Sequence, residues 1–321
     1  MLDRTDPEGA IAAAAKRCSN WGRWGADDVL GTLNFLDEAN RREGAALVRR
    51  GSSFSLAQSF DMNGPQKGWR RRTNPVHTML DTGTDAERGT QGFPHGLGGA
   101  DDVVFMPLQA STQWDGLGHI FDHGLAYNGR RAGEVVTSEG DQVTGIETAA
   151  AVIAGRGVLL DVGRAVGDDG ELPDGFAITE EHLERTIAAQ GESARVGRGD
   201  LVCVRTGRLA RARREGWGDY AGGASPGLSF TTADWLHRTE IAGIATDTWG
   251  FEVRPNEFEH AFQPLHQVVI PHLGLFVGEM WDLDALAADC VADGVWEFFL
   301  VAAPLPVTGA VGSPVNPLAI K

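Results

Sequence analysis

LQASTQWDGLGHIFDHGLAYN, residues 108–128, is the stretch on which the reading of this chain turns. Gln109, Gln113, Asp115 and His119 fall on alternate positions, so an extended segment would turn all four side chains to one face. That face would carry two amides, a carboxylate and an imidazole, with Trp114 packing behind it. Gly116 and Gly118 allow a bend that brings backbone close to a ligand and re-aims His119 into a cleft. The ordinary reading of such residues is a polar surface turn with a capping histidine, and only a second cluster elsewhere raises the catalytic one.

Outward from this stretch the chain alternates strands and helices. An N-terminal arm covers about residues 1–50, with helical periodicity from Asp37 and Gly51 as its C-cap. SFSLAQSF (53–60) alternates as a half-buried strand. Residues 61–99 are rich in glycine and poor in apolar anchors, which predicts a long, mobile, lid-like loop. It holds the basic run Arg70, Arg71 and Arg72, read as a solvated face before an anion site, and His77, which could reach the site. GVLLDV (157–162) and GDLVCVRTGR (199–208) are continuous apolar runs of the kind covered on both faces. ITEEHLERTIAAQGE (178–192) is an amphipathic helix with Thr179 at the N-cap and Gly191 at its end. A helix from about Thr232 leads into the strand IAGIATD (241–247), with Asp247 and Trp249 flanking the site. The alternation predicts an α/β protein, while 43 glycines spread through the chain argue against a plain doubly wound sheet.

The net charge of −16 repels nucleic-acid backbones and anionic membranes, so neither is expected as a partner. Cys18, Cys203 and Cys290 form neither a disulfide framework nor a zinc-knuckle spacing. With no export signal or bilayer-length apolar run, a reducing cytoplasm is the expected compartment. One domain over 1–321 is expected. Nothing marks a serine or cysteine nucleophile: GASPG does not join a strand to a helix as a nucleophile elbow does.

The second cluster is His266, His272 and Glu279, with Asp282 and Asp284 just after. GLFVG (274–278) reads as a strand that delivers Glu279 at its end. Imidazole and carboxylate together suit a divalent ion such as Zn or Mn. The plainer reading makes His266 a turn residue and Glu279 a helix cap.

Several segments in order, WGADDVLGTLNFL (24–36), TQWDGLGH (112–119), GRGVLLDV (155–162), GDLVCVRTG (199–207), IATDTW (244–249), GEMWDLDAL (278–286) and GSPVNPLAI (312–320), resemble the cyclase family of metal-dependent hydrolases, which includes kynurenine formamidases and isatin hydrolases. The resemblance implies a swivelling β/β/α fold, with a mixed, partly barrel-like sheet flanked by helices. It also implies a homodimer or larger homo-oligomer acting on a small molecule. The family signature resembles H-x-G-T-H-x-D-x-P-x-H, whose first two histidines and aspartate bind metal and whose last histidine is a base. Here Gln109 and Gln113 stand where the two ligand histidines would be, Leu117 replaces the proline, and Asp115 and His119 are kept. His266 and Glu279 match the downstream ligands.

Amide oxygen is a weaker ligand than imidazole, so the resemblance implies one ion on Asp115, His266 and Glu279, and not two. Alternatively the amides replace the metal and donate to an oxyanion. The expected activity is hydrolysis of a carbon–nitrogen bond in an amide, formamide or cyclic amide, with Asp115 and His119 catalytic and His119 as general base. Gln109, Gln113, Trp114 and His77 would bind substrate. The rival expectations are a lactone hydrolase and a metal-free, non-catalytic binding protein.

Overall fold

Four apolar runs set the architecture. Ala154–Asp161, Leu201–Arg205, Gly243–Thr246 and Phe276–Glu279 lie side by side and parallel, with Val158, Val202, Ile244 and Val277 in register. Their side chains are buried on both faces, as the continuous apolar runs require. The computed structural model describes residues 3–321. In it these runs form the middle of a nine-stranded mixed sheet that curls into a half-barrel. Across the sheet the order is Ser53–Ser55, Leu318–Ile320, Glu297–Val301, Ala154–Asp161, Leu201–Arg205, Gly243–Thr246, Phe276–Glu279, Gln113–Asp115, Gly312–Pro314. The strands outside the central four pair antiparallel. One contiguous core runs from Ile11 to Ala319.

Local chemistry explains the helices that flank the sheet. Glu180–Gln190 begins at Thr179, where the His182 ring accepts the Thr179 backbone N–H at 3.1 Å in the place a glutamate usually takes in a capping box, and it ends at Gly191 (φ 84°). Glu38–Ala45 starts on an Asp37/Asn40 capping box and stops at Ala45, short of the Gly51 expected from periodicity. No helix among the described residues is long and apolar enough to cross a membrane.

Two expectations are corrected. The segment around Asp115 is strand only over Gln113–Asp115; Gln109 lies in the turn before it and His119 in the turn after it, whose N–H donates to Gly116 O at 3.1 Å. Gly118 serves packing here: a Cβ there would lie 2.0 Å from Asp141 Oδ2, a carboxylate already bonded to Thr144. Residues 61–99 are not a featureless loop either. Val76–Asp81 pairs antiparallel with Asp101–Phe105, with a short helix at Gly83–Glu87 between them. The glycine-rich connection masks this pairing, because the period-two pattern is confined to the two ends of the stretch.

Candidate functional site

The site grows from one antiparallel register. Phe276–Glu279 pairs with Gln113–Asp115 so that Glu279 sits opposite Gln113, and Asp115, two residues on, shares Gln113's face. The Gln113 amide nitrogen donates to Glu279 Oε2 at 2.9 Å and to Asp115 Oδ1 at 3.2 Å. His266, on the short helix Pro264–Val268, brings Nε2 to 3.2 Å from Glu279 Oε1. Its Nδ1 lies 2.6 Å from Glu252 Oε1, and Glu252 also accepts the backbone N–H groups of Leu265 and His266. The Phe251 N–H completes Glu279 at 3.2 Å. Gln113, Asp115, His266, Glu252 and Glu279 are all buried.

Burial sets the protonation states. It holds the Asp115 carboxyl above its ordinary range, an effect that His119 opposes and Glu279 reinforces. Burial also works against charge on His266, yet the hydrogen bonds from Glu252 and Glu279 outweigh it and push the imidazole up to about 10. In the metal-free site His266 is therefore an imidazolium bridging two carboxylates. For His119, burial pushes the imidazole below its ordinary value, with Asp115 opposing from 3.7 Å and Arg72 and Arg70 adding to the depression. A neutral imidazole beside a carboxylate can accept a proton.

Asp115, His266 and Glu279 present ligand atoms within 4.8 Å of one another, which fits one divalent ion. Glu252 behind His266 is the carboxylate that orients a metal-bound imidazole. The Gln113 amide oxygen is buried with no hydrogen-bond partner, while its NH2 faces the two carboxylates. Turning the amide over would bring that oxygen to the ligand cluster, a contact with two carboxylates that only a cation makes favourable. His266 would have to surrender its Nε2 proton to such an ion. The set fits one ion and offers no second group of ligands.

His119 lines a cavity of about 320 Å³ together with Arg70, Ile120, Phe121, Phe262, Gln263 and Gln267. The structure thus brings Gln113, Asp115, His119, His266 and Glu279 together. Gln109 is close by: its amide nitrogen is buried without a partner and would lie 2.7 Å from a Cβ at Gly312, the residue paired with Asp115. Trp114 packs behind the polar face as the alternation predicts and is corrected as a substrate contact, since it faces away from Gln113 and Asp115, donates to Ala302 O at 2.8 Å and packs edge-on to Trp281. His77 is corrected too. It lies on the exposed hairpin, its side chain 54% exposed and its Nε2 2.8 Å from Asp102. His272 pairs with Asp122 and stacks on Trp21, and Asp282 and Asp284 pair with Arg213 and Arg205. Asp247 accepts from Thr206 and Gly207 and holds that turn. Glu252 was missed; the FEV segment after Trp249 carries no motif, and only its hydrogen bonds reveal it.

Residues 54–253 match the family model described as "Putative cyclase". A crystal structure described as a novel cyclase is 37% identical, with a TM-score of 0.85 over 96% of this chain and 99% of that one. Isatin hydrolase A from Labrenzia aggregata, bound to benzyl benzoate, is 18% identical over 86% of this chain and 94% of its own, with a TM-score of 0.58. Isatin hydrolase A from Ralstonia solanacearum is 17% identical over 84% and 92%, with a TM-score of 0.60. At that identity the likeness is one of fold. No curated protein matches the sequence.

Proposed function

The chain belongs to the cyclase family, and on that premise we propose that it hydrolyses a carbon–nitrogen bond in an amide, formamide or cyclic amide. The observation that carries the proposal is the convergence of Asp115, His266 and Glu279 beside His119, which opens to the cavity. The solved isatin hydrolases, enzymes named for a cyclic amide, support the substrate class by likeness of fold.

The chain's own residues divide the work. His119, held neutral by burial, takes a proton from the attacking water and returns it to the leaving nitrogen. Asp115, 3.7 Å from Nε2, stabilises the imidazolium formed between those transfers. Glu252 and Glu279 fix the His266 ring, and Phe121 and Phe262 wall the cavity against water. Asp115, His266 and Glu279 would hold a divalent ion, Zn or Mn, which would supply Lewis acidity. A metal-free variant of the reading is favoured by one observation: the Gln113 NH2 already spans both carboxylates. Gln109 then holds a buried amide donor, without a partner in the fold, to meet an oxyanion.

The test is turnover of formanilide, isatin and a simple lactone by purified protein before and after chelation. Amide hydrolysis lost on chelation and restored by Zn or Mn supports the metal-assisted form, and amide hydrolysis indifferent to chelator supports the amide-assisted form. Lactone turnover alone moves the activity to esters. No turnover in any metal state overturns the enzyme reading in favour of a binding protein on the same fold.

We further propose a homodimer or larger homo-oligomer. The exposed hairpin carries Val76, Met79, Leu80, Val103, Val104 and Phe105 into solvent, a display that isolated monomers avoid.

A further inference from the structure

Arg70 lines the cavity that holds His119, Arg72 acts on His119 from nearby and Arg254 packs on the lining residue Phe262, and among the described residues none of the three has a carboxylate within ion-pair distance. The chain has 44 acidic residues against 28 lysines and arginines, and several of its deeply placed arginines are paired: Arg156 with Asp200 and Glu297, Arg205 with Asp161 and Asp284, Arg208 with Asp174, whereas Arg41 and Arg130, like Arg254, bury a guanidinium nitrogen without a hydrogen-bond partner. Arg72 is 8% exposed, and among the described residues its guanidinium makes no ion pair or side-chain hydrogen bond; it lies 5.5 Å from the Trp249 ring centre. Arg254 sits over Trp69, Phe262 and Trp249 at 5.2, 5.5 and 5.9 Å, and its Nη1 is buried with no hydrogen-bond partner. Arg70 lines the cavity and donates only to the neutral Gln263 amide, at 3.4 Å.

These groups form one body with the cavity wall. Phe262 lines the cavity and packs on Trp69 at 5.4 Å, and Trp69 meets Trp249 edge-on at 5.3 Å. The neighbouring carboxylates are already spent, Glu252 on His266 and Glu279 on His266, Gln113 and the Phe251 N–H. Ring faces return only part of what a guanidinium loses on leaving water. The rim is also held in costly backbone: Arg70 (φ 50°), Arg71 (φ 63°) and Gln263 (φ 51°) are left-handed without being glycine. Such expense at a cavity mouth is the mark of a positioned binding group.

We propose that the ligand of this site bears a carboxylate, held by Arg72 and Arg254 with Arg70 at the rim, so that the preferred substrate is an anionic amide. The planar guanidinium fork matches a carboxylate in two parallel hydrogen bonds, and Asp115, Glu252 and Glu279 act on Arg72 and Arg254 only from beyond ion-pair distance. The substrate half of this statement rests on the hydrolase reading, whereas the anion half stands on the arginines alone.

The experiment separates the two. Binding of benzoate and of benzamide is measured by calorimetry on the wild type, Arg72→Gln, Arg254→Gln and Arg254→Lys. Turnover is compared for 4-formamidobenzoate and formanilide. Benzoate should bind at least about tenfold more tightly than benzamide, each Gln variant should lose about tenfold or more, and Arg254→Lys should recover part of the loss. Benzoate should also raise the melting temperature of the wild type, a readout that does not depend on any variant folding. Equal binding of benzoate and benzamide, or unchanged benzoate affinity in folded Gln variants, overturns the proposal, as does equal kcat/KM for the two formamides. Benzoate selectivity without turnover of either formamide upholds the anion site and removes the hydrolase reading instead.

Discussion

Replacing His266 by Asn should flatten the pH dependence of stability in the metal-free protein. The folded imidazole is lifted to about 10, after burial is outweighed by Glu252 and Glu279, against about 6.5 in the unfolded chain. A group whose folded pKa is raised contributes stability that is complete below the unfolded value and lost as pH climbs towards the folded one. Between about pH 6.5 and 8.5 that loss comes to roughly 2 kcal/mol, approaching 1.4 kcal/mol per pH unit at its steepest. Titrations common to wild type and variant cancel in the comparison. Asp200 and Asp247, raised by burial to about 6, are mostly ionised at its lower edge and titrate alike in wild type and His266→Asn. His119 and His237, depressed by burial, act as pH falls below the ordinary histidine value. The buried thiols act only above the ordinary cysteine range. The assay is urea denaturation with chelator present, at three pH values across the window, on wild type and His266→Asn. Parallel profiles for the two proteins would refute the imidazolium bridge.

Three further outcomes follow from the same geometry. His119→Asn should lower kcat by roughly 10²–10⁴-fold with the melting temperature held, and wild-type kcat/KM should rise to a plateau already below about pH 6.5 because the base is neutral early; a plateau reached only well above that value counts against burial as the cause. Gly118→Ala should destabilise by about 1–3 kcal/mol, since its Cβ would meet Asp141 Oδ2 at 2.0 Å, and unchanged denaturant midpoints would mean the Asp141 turn yields freely. Val103→Glu with Phe105→Glu on the exposed hairpin should shift the protein to monomer in light scattering, whereas an unaltered assembly would show that this hairpin covers nothing.

The frame was legible in the sequence where pattern and physics are local. GVLLDV, LVCVR and GIAT hold consecutive apolar residues with no alternation, and such runs are stable only between two covering layers, so they mark the sheet centre. Thr179 and Gly191 bounded their helix because capping is decided within a few residues. Asp115, His119, His266 and Glu279 were legible through the resemblance of their segments to a known signature. What stayed hidden was set by long-range pairing. Trp114 is no substrate contact because its register against Gly278 and Ser313 points it at Trp281. Glu252 reads as an unremarkable acid until the chain folds it under His266. The isolation of Arg72 and Arg254 is likewise a fact about which carboxylates are already engaged, and no local pattern encodes that.

The antiparallel seam between Gln113–Asp115 and Phe276–Glu279 joins segments separated by most of the chain's middle, and the latter strand must also dock in parallel on Gly243–Thr246. During synthesis the acid–amide face is therefore completed only after the ribosome has released residue 279. Until then Asp115 lacks both the glutamate across the seam and the His266 cation that the later segment delivers. A proteolytic or recombinant piece ending at 253 would lack Phe276–Glu279 and Gly312–Pro314, the two strands on which Gln113–Asp115 pairs, and be mute in any assay of the assembled centre.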